Sequence, residues 1–104
     1  MKNPKKNGLE AIHHVAIPVR NISRAVQWYS QRFKCEVEYQ DKTWALLNFR
    51  NIKLAMVMPE EHSPHLAFQS DEIEIYGRAK THRDGTRSVY IKDSEDNSVE
   101  LIEL

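Results

Sequence analysis

Three residues stand out for their chemistry: His14 in "AIHHVAIPV" (11–19), His65 in "PHLAFQS" (64–70) and Glu100 in "SVELIEL" (98–104). Two imidazoles and one carboxylate make a facial set of metal ligands that leaves coordination positions open for substrate oxygens. Neutral imidazole suits Mn, Ni, Zn, Co or Fe. A single carboxylate leaves residual positive charge to polarise a bound oxygen. Each residue also has a plain structural role open to it. His14 can be a hydrogen-bonded core histidine, His65 the end of a loop, and Glu100 an edge residue.

The neighbouring residues decide which way these side chains face. Residues 11–19 alternate as a β-strand, so His13 and His14 point to opposite sides. His14 shares its side with Ala16 and Pro18, where there is room. His13 goes with Val15, Ile17 and Val19, toward the apolar stripe of Ala25, Val26, Tyr29 and Phe33 in the following helical stretch. Asn21 or Ser23 is placed to cap that helix. "CEVEYQ", "TWALLNFR" and "IKLAMVM" read as three further strands, with Val37 and Tyr39 expected on one face. The order β-α-β-β-β ends near Met58, and "PEEHSP" follows as a polar linker.

The second half opens like the first. "HHVAIPV" and "PHLAFQS" are a weak repeat that coincides with a repeat of element order. His14 and His65 hold equivalent places in it, each on the less apolar side. After it come a turn or two of helix in "SDEIEIYG", a doubtful edge strand in "RAKTHRDGT", and strands in "RSVYIKD" and "SVELIEL". Glu100 lies between Val99 and Leu101 in a strand expected to be central, where an uncompensated carboxylate is costly. The expected architecture is α+β: residues 1–9 a tail, and 10–104 one domain of two βαβββ-like modules. Module one is 10–58, the linker 59–64, and an abbreviated module two 65–104.

Composition excludes other classes. The 104 residues carry 15 Lys+Arg and 15 Asp+Glu, a net charge of +0. That balance gives no pull toward nucleic acid or an anionic membrane. No apolar run approaches the ~18 residues of a membrane span, and no signal-peptide core is seen. A lone cysteine, Cys35, reads as a buried thiol of a reducing compartment. The expectation is a cytoplasmic protein whose partner is a small molecule.

"IHHVAIPVRNISRAVQWYSQRF", "PHLAFQS" and "SVYIKDSEDNSVELIEL" resemble the vicinal oxygen chelate superfamily of glyoxalase I, fosfomycin-resistance proteins, extradiol dioxygenases and bleomycin-resistance proteins. The likeness spans nearly all of the chain after residue 10. Its most specific part is "YIKDSEDNSVEL", similar to that family's aromatic-x-x-D-P-x-G-N-x-x-E-L ending, with Ser94 in place of the proline and Asp96 in place of the glycine. The resemblance implies paired βαβββ modules forming a cup around a divalent metal held by His14, His65 and Glu100. It argues against the bleomycin-binding branch, which lacks the ligands. Glyoxalase I adds a glutamate where this chain has Lys53, and a charged lysine cannot replace it as a ligand. The three-ligand set looks more like the fosfomycin-resistance and dioxygenase branches.

Likeness to the fosfomycin-resistance branch makes Lys80, Ser88 and Tyr90 candidate substrate contacts, with Lys53 beside them. That match is partial, because Ala16 stands where the branch has a hydroxyl and the sequence stops before its distal arginine. Tyr90 and His82 are candidate catalytic groups. The bland reading of His82 and His62 is a surface histidine in a polar loop. The function implied is a metal-dependent enzyme of lyase, isomerase or thiol-transfer type on an oxygen-rich small molecule. A non-haem Fe(II) dioxygenase and a non-catalytic small-molecule binder are the alternatives. The shortened second helix would leave a sheet face uncovered, so a homodimer is expected.

Overall fold

The structure is a computed structural model that describes residues 8–82 and 85–104. The expected tail falls mostly at residues 1–7, outside the described residues. The chain is α+β, with its strands in mixed parallel and antiparallel pairs, and it divides into two compact units. One is His14–His65; the other joins residues up to His13 with Leu66–Leu104.

In the His14–His65 unit the strand order is β2-β3-β4-β1, from β1 (Ile12–Pro18), β2 (Glu36–Gln40), β3 (Trp44–Asn48) and β4 (Lys53–Val57). The parallel β1–β4 pair needs a crossover, and the chain between them supplies it. Its helix α1 (Ile22–Arg32) starts where the Asn21 side chain accepts from Arg24 N–H at 2.8 Å. Ile22 and Val26 are buried against Ala45, Leu47 and Met56, joined by Ile17, Val19, Ala25, Tyr29 and Cys35. Ala16, Leu46, Ala55 and Val57 pack on the opposite face with Tyr39 and Trp44.

Three expectations fail here. Phe33 leaves the helical stripe: it is the C-cap residue in extended conformation, 50% exposed. Val37 and Tyr39 do not share a face. A bulge between them pairs Val37 with Leu47 and Tyr39 with Leu46, whose side chains alternate. The inserted residue, Glu38, reverses the pleat. Cys35 is half-buried rather than fully buried.

In the other unit β5 (His65–Gln69), β6 (Lys80–Thr81), β7 (Arg87–Lys92) and β8 (Ser98–Glu103) lie in the order β5-β8-β7-β6. The helix is reduced to a 3-10 turn, Ile73–Tyr76. Its Ile73 is buried with Val89 and Leu101, and Phe68, Ile91 and Val99 pack around them. The β7–β8 turn is held by Asp93, whose Oδ1 accepts from the N–H groups of Glu95 and Asn97, both at 2.8 Å. Asp96 sits there at φ 68°, the left-handed conformation for which glycine is the easy choice.

Candidate metal centre

His14 is buried at 9% exposure on the Ala16 face of β1, and the small neighbour leaves its ring space. His65 opens β5, and its Nδ1 lies 2.7 Å from the Ser63 carbonyl oxygen. A carbonyl only accepts, so Nδ1 donates to it, and the ring is held with Nε2 turned toward His14. That Nε2 is 3.1 Å from His14 Nε2, with the rings edge to face at 76°. Two nitrogens at neighbouring positions, each ~2.1 Å from one ion, stand about 3.0–3.4 Å apart. The spacing and the carbonyl-oriented ring therefore fit a pair of metal ligands. Carbonyl support of a ligand histidine is the usual way such rings are oriented.

Glu100 is 4% exposed in the middle of β8. Its register partners are Tyr90 on β7 and Ala67 on β5. It thus lies on the face of the sheet opposite Val89 and Leu101, and Ser88 and Lys80 share that face through the pairs Ser88–Ile102 and Lys80–Ser88. Desolvation, then the Glu100 charge and the hydrogen bond to Glu100, push the Tyr90 phenol well above its ordinary pKa. Tyr90 as a whole is 51% exposed, so the desolvated part is the hydroxyl end that meets the buried carboxylate.

His82 is no plain surface histidine. Its Nε2 shares a 2.5 Å hydrogen bond with the Ser88 hydroxyl and lies 3.7 Å from Glu100 Oε2. His62 keeps to the polar side, 3.4 Å from the Thr43 hydroxyl, with its ring near Trp44.

Lys53 begins β4 as the register partner of His14 and also pairs with Asn48 of β3. Register partners point to one side of a sheet, so His14, Lys53 and Asn48 form a row across three strands. Lys53 Nζ is 2.6 Å from Glu38 Oε1, at the bulge of β2. Glu38 and Asn48 were not singled out from sequence. The bulge that aims Glu38 has no local signature, and Asn48 gains meaning only from its register. A hollow of about 600 Å³ lined by Arg20, Asn21, Gln40, Asp41 and Lys42 contains none of the candidate site residues.

No protein-family model matches the chain, and no curated protein does. Solved structures do match. A methylmalonyl-CoA epimerase from Streptomyces coelicolor, in complex with 2-nitronate-propionyl-CoA, superposes with a TM-score of 0.74 at 15% identity, covering 92% of this chain and 98% of the other. A methylmalonyl-CoA epimerase from Mycobacterium tuberculosis gives 0.69 at 18% identity, covering 89% and 87%. A glyoxalase/bleomycin resistance protein/dioxygenase superfamily member from Vibrio splendidus 12B01 gives 0.69 at 8% identity, covering 92% and 100%. The fold is that of the vicinal oxygen chelate proteins. At such identities the likeness carries the fold and leaves the chemistry to the site.

Proposed function

We infer that the chain is a metal-dependent enzyme of the vicinal oxygen chelate type, acting on a small oxygen-rich molecule. His14, His65 and Glu100 each give one ligand atom to a divalent ion. The observation that carries this reading is the His14–His65 pair: Nε2 atoms 3.1 Å apart, with the His65 ring oriented by the Ser63 carbonyl. Glu100 supports it as a buried carboxylate in the middle of β8. A bound Mn, Ni, Zn, Co or Fe ion would supply Lewis acidity toward two substrate oxygens.

The chain's own groups then have defined tasks. Tyr90 hydrogen-bonds Glu100 and fixes the carboxylate's orientation. His82 and Ser88, joined to each other, border the same carboxylate and offer polar hydrogens to a substrate. Lyase or isomerase chemistry, in which a developing enolate is stabilised, is the reading we favour, because epimerases are prominent among the proteins with this fold. The substrate is taken up as a free small molecule, and we propose that the working unit is a homodimer; a monomeric mass at micromolar concentration would overturn that part.

The test is metal affinity by competition with a chromophoric chelator. His14→Ala, His65→Ala and Glu100→Gln are each expected to weaken binding by about 100-fold or more, the scale on which metal-site interactions act. Unchanged affinity in all three would sink the assignment.

A further inference from the structure

We propose that Lys53 and Asn48 form the recognition subsite for an acid substrate: Lys53 binds a substrate carboxylate, and Asn48 accepts a hydrogen bond from an adjacent hydroxyl. The proposal deepens the metal-enzyme reading and rests on it for the position of the reacting centre. Its residues lie in the row His14–Lys53–Asn48.

Two observations carry it independently. The first is a polar atom with nothing to do. Asn48 Oδ1 is fully buried and has no hydrogen-bond partner, alone in this among the side chains of the described residues. Such a group carries the full desolvation penalty, about 1–3 kcal/mol, and native proteins tolerate few of them. The atom is closed to water as it stands, so a ligand O–H or N–H reaches it only when the Asn48 amide turns out toward the face that presents His14.

The second is a cation where one is awkward. Lys53 neighbours His14, so its charge opposes a metal ion there unless an anion compensates. Glu38 does so at 2.6 Å, but both side chains are well exposed, at 33% and 41%. An exposed pair of this kind is held weakly. A substrate carboxylate can take over Nζ in exchange for the Glu38 carboxylate. A charge-assisted bond to the ammonium then selects acids over neutral analogues. The substrate class is a small carboxylic acid that bears a hydroxyl or enol oxygen next to the reacting carbon.

The test compares lactate with lactamide, its uncharged amide, by chemical-shift titration of the 15N-labelled protein, metal-free and zinc-saturated. The unsubstituted protein is expected to prefer lactate in both forms. In Lys53→Gln that preference falls at least about tenfold, the scale of a charge-assisted bond. In Asn48→Ala lactate binding weakens while thermal stability holds or rises, because the orphaned acceptor is gone. Zinc affinity persists in both variants. A lactate preference that survives Lys53→Gln, or an Asn48→Ala protein that loses stability and keeps its lactate affinity, overturns the proposal. Zinc affinity of the unsubstituted protein is read on its own, so failure of the metal site is distinguished from failure of the acid subsite.

Discussion

The two units use one element order and pack it differently. In the His14–His65 unit an eleven-residue helix covers the sheet and buries Ile22 and Val26 against Ala45, Leu47 and Met56. In the other unit a four-residue 3-10 turn sends one side chain, Ile73, into a core shared with Val89 and Leu101. Around it Ile75 is 73% exposed and Leu66 41%. Electrostatics take some of the helix's place: Arg87 bridges Glu74 of the turn at 2.6 Å and Glu103 of β8 at 2.9 Å. The lesson is that a sheet can keep its register with little cover when short strands are tied by charges and by a capped turn. The histidine pair belongs to the heavily packed unit, and the carboxylate hangs on the lightly covered one.

That contrast can be broken by substitution. Leu47→Ala is expected to cost about 3–5 kcal/mol and Ile73→Ala about 2–4 kcal/mol in urea unfolding, since more neighbours line the first cavity. A larger loss at Ile73 would reverse our ranking of the units. Next comes the cap: Asn21→Ala removes the acceptor of Arg24 N–H and should cost about 1 kcal/mol. The other unit has no side-chain cap on its turn to lose. A smaller effect of opposite sign is expected at Asp96, where glycine relieves the left-handed backbone and should add about 0.5 kcal/mol.

The finest comparison is between the aspartate turns, one in each unit. Asp41 is held well below the usual carboxylate range by the Tyr39 hydroxyl first, with the N–H groups of Thr43 and Trp44 adding to it. Asp93 is lowered by the backbone and side chain of Asn97, then by Glu95 N–H. A carboxyl whose folded pKa is depressed stabilises the fold above its unfolded pKa, and that contribution is lost as pH falls through the folded value. Both turns should therefore help at neutral pH and weaken below about pH 4, where unfolded aspartates protonate. The gap between thermal melts of Asp41→Asn or Asp93→Asn and those of the unsubstituted protein should narrow toward the acid end across pH 2–7, less completely at Asp41, whose carboxyl is the more strongly depressed. A constant gap across that range would mean that charge is not what the turns use.

Much of the site's orientation was legible in the sequence because strand alternation is local. It separated His14 from His13 and set Glu100 apart from Val99 and Leu101, and the structure keeps both divisions. Where alternation is interrupted the reading failed: the extra residue at Glu38 moved Val37 off the face of Tyr39, and nothing in "CEVEYQ" announces it. Phe33 was lost because helical spacing continues on paper past the residue where the backbone turns extended.

By itself the sequence determined the residue types, the order of elements and the sides of the strands, because propensity and period act over a few residues. Only the tertiary structure decided which strands are neighbours. Register made Lys53 the partner of His14, brought Glu38 to Lys53, left Asn48 Oδ1 without a donor, and joined His82 to Ser88. Those contacts run between strands rather than along one, and pairing between segments leaves no mark on the local pattern of either one.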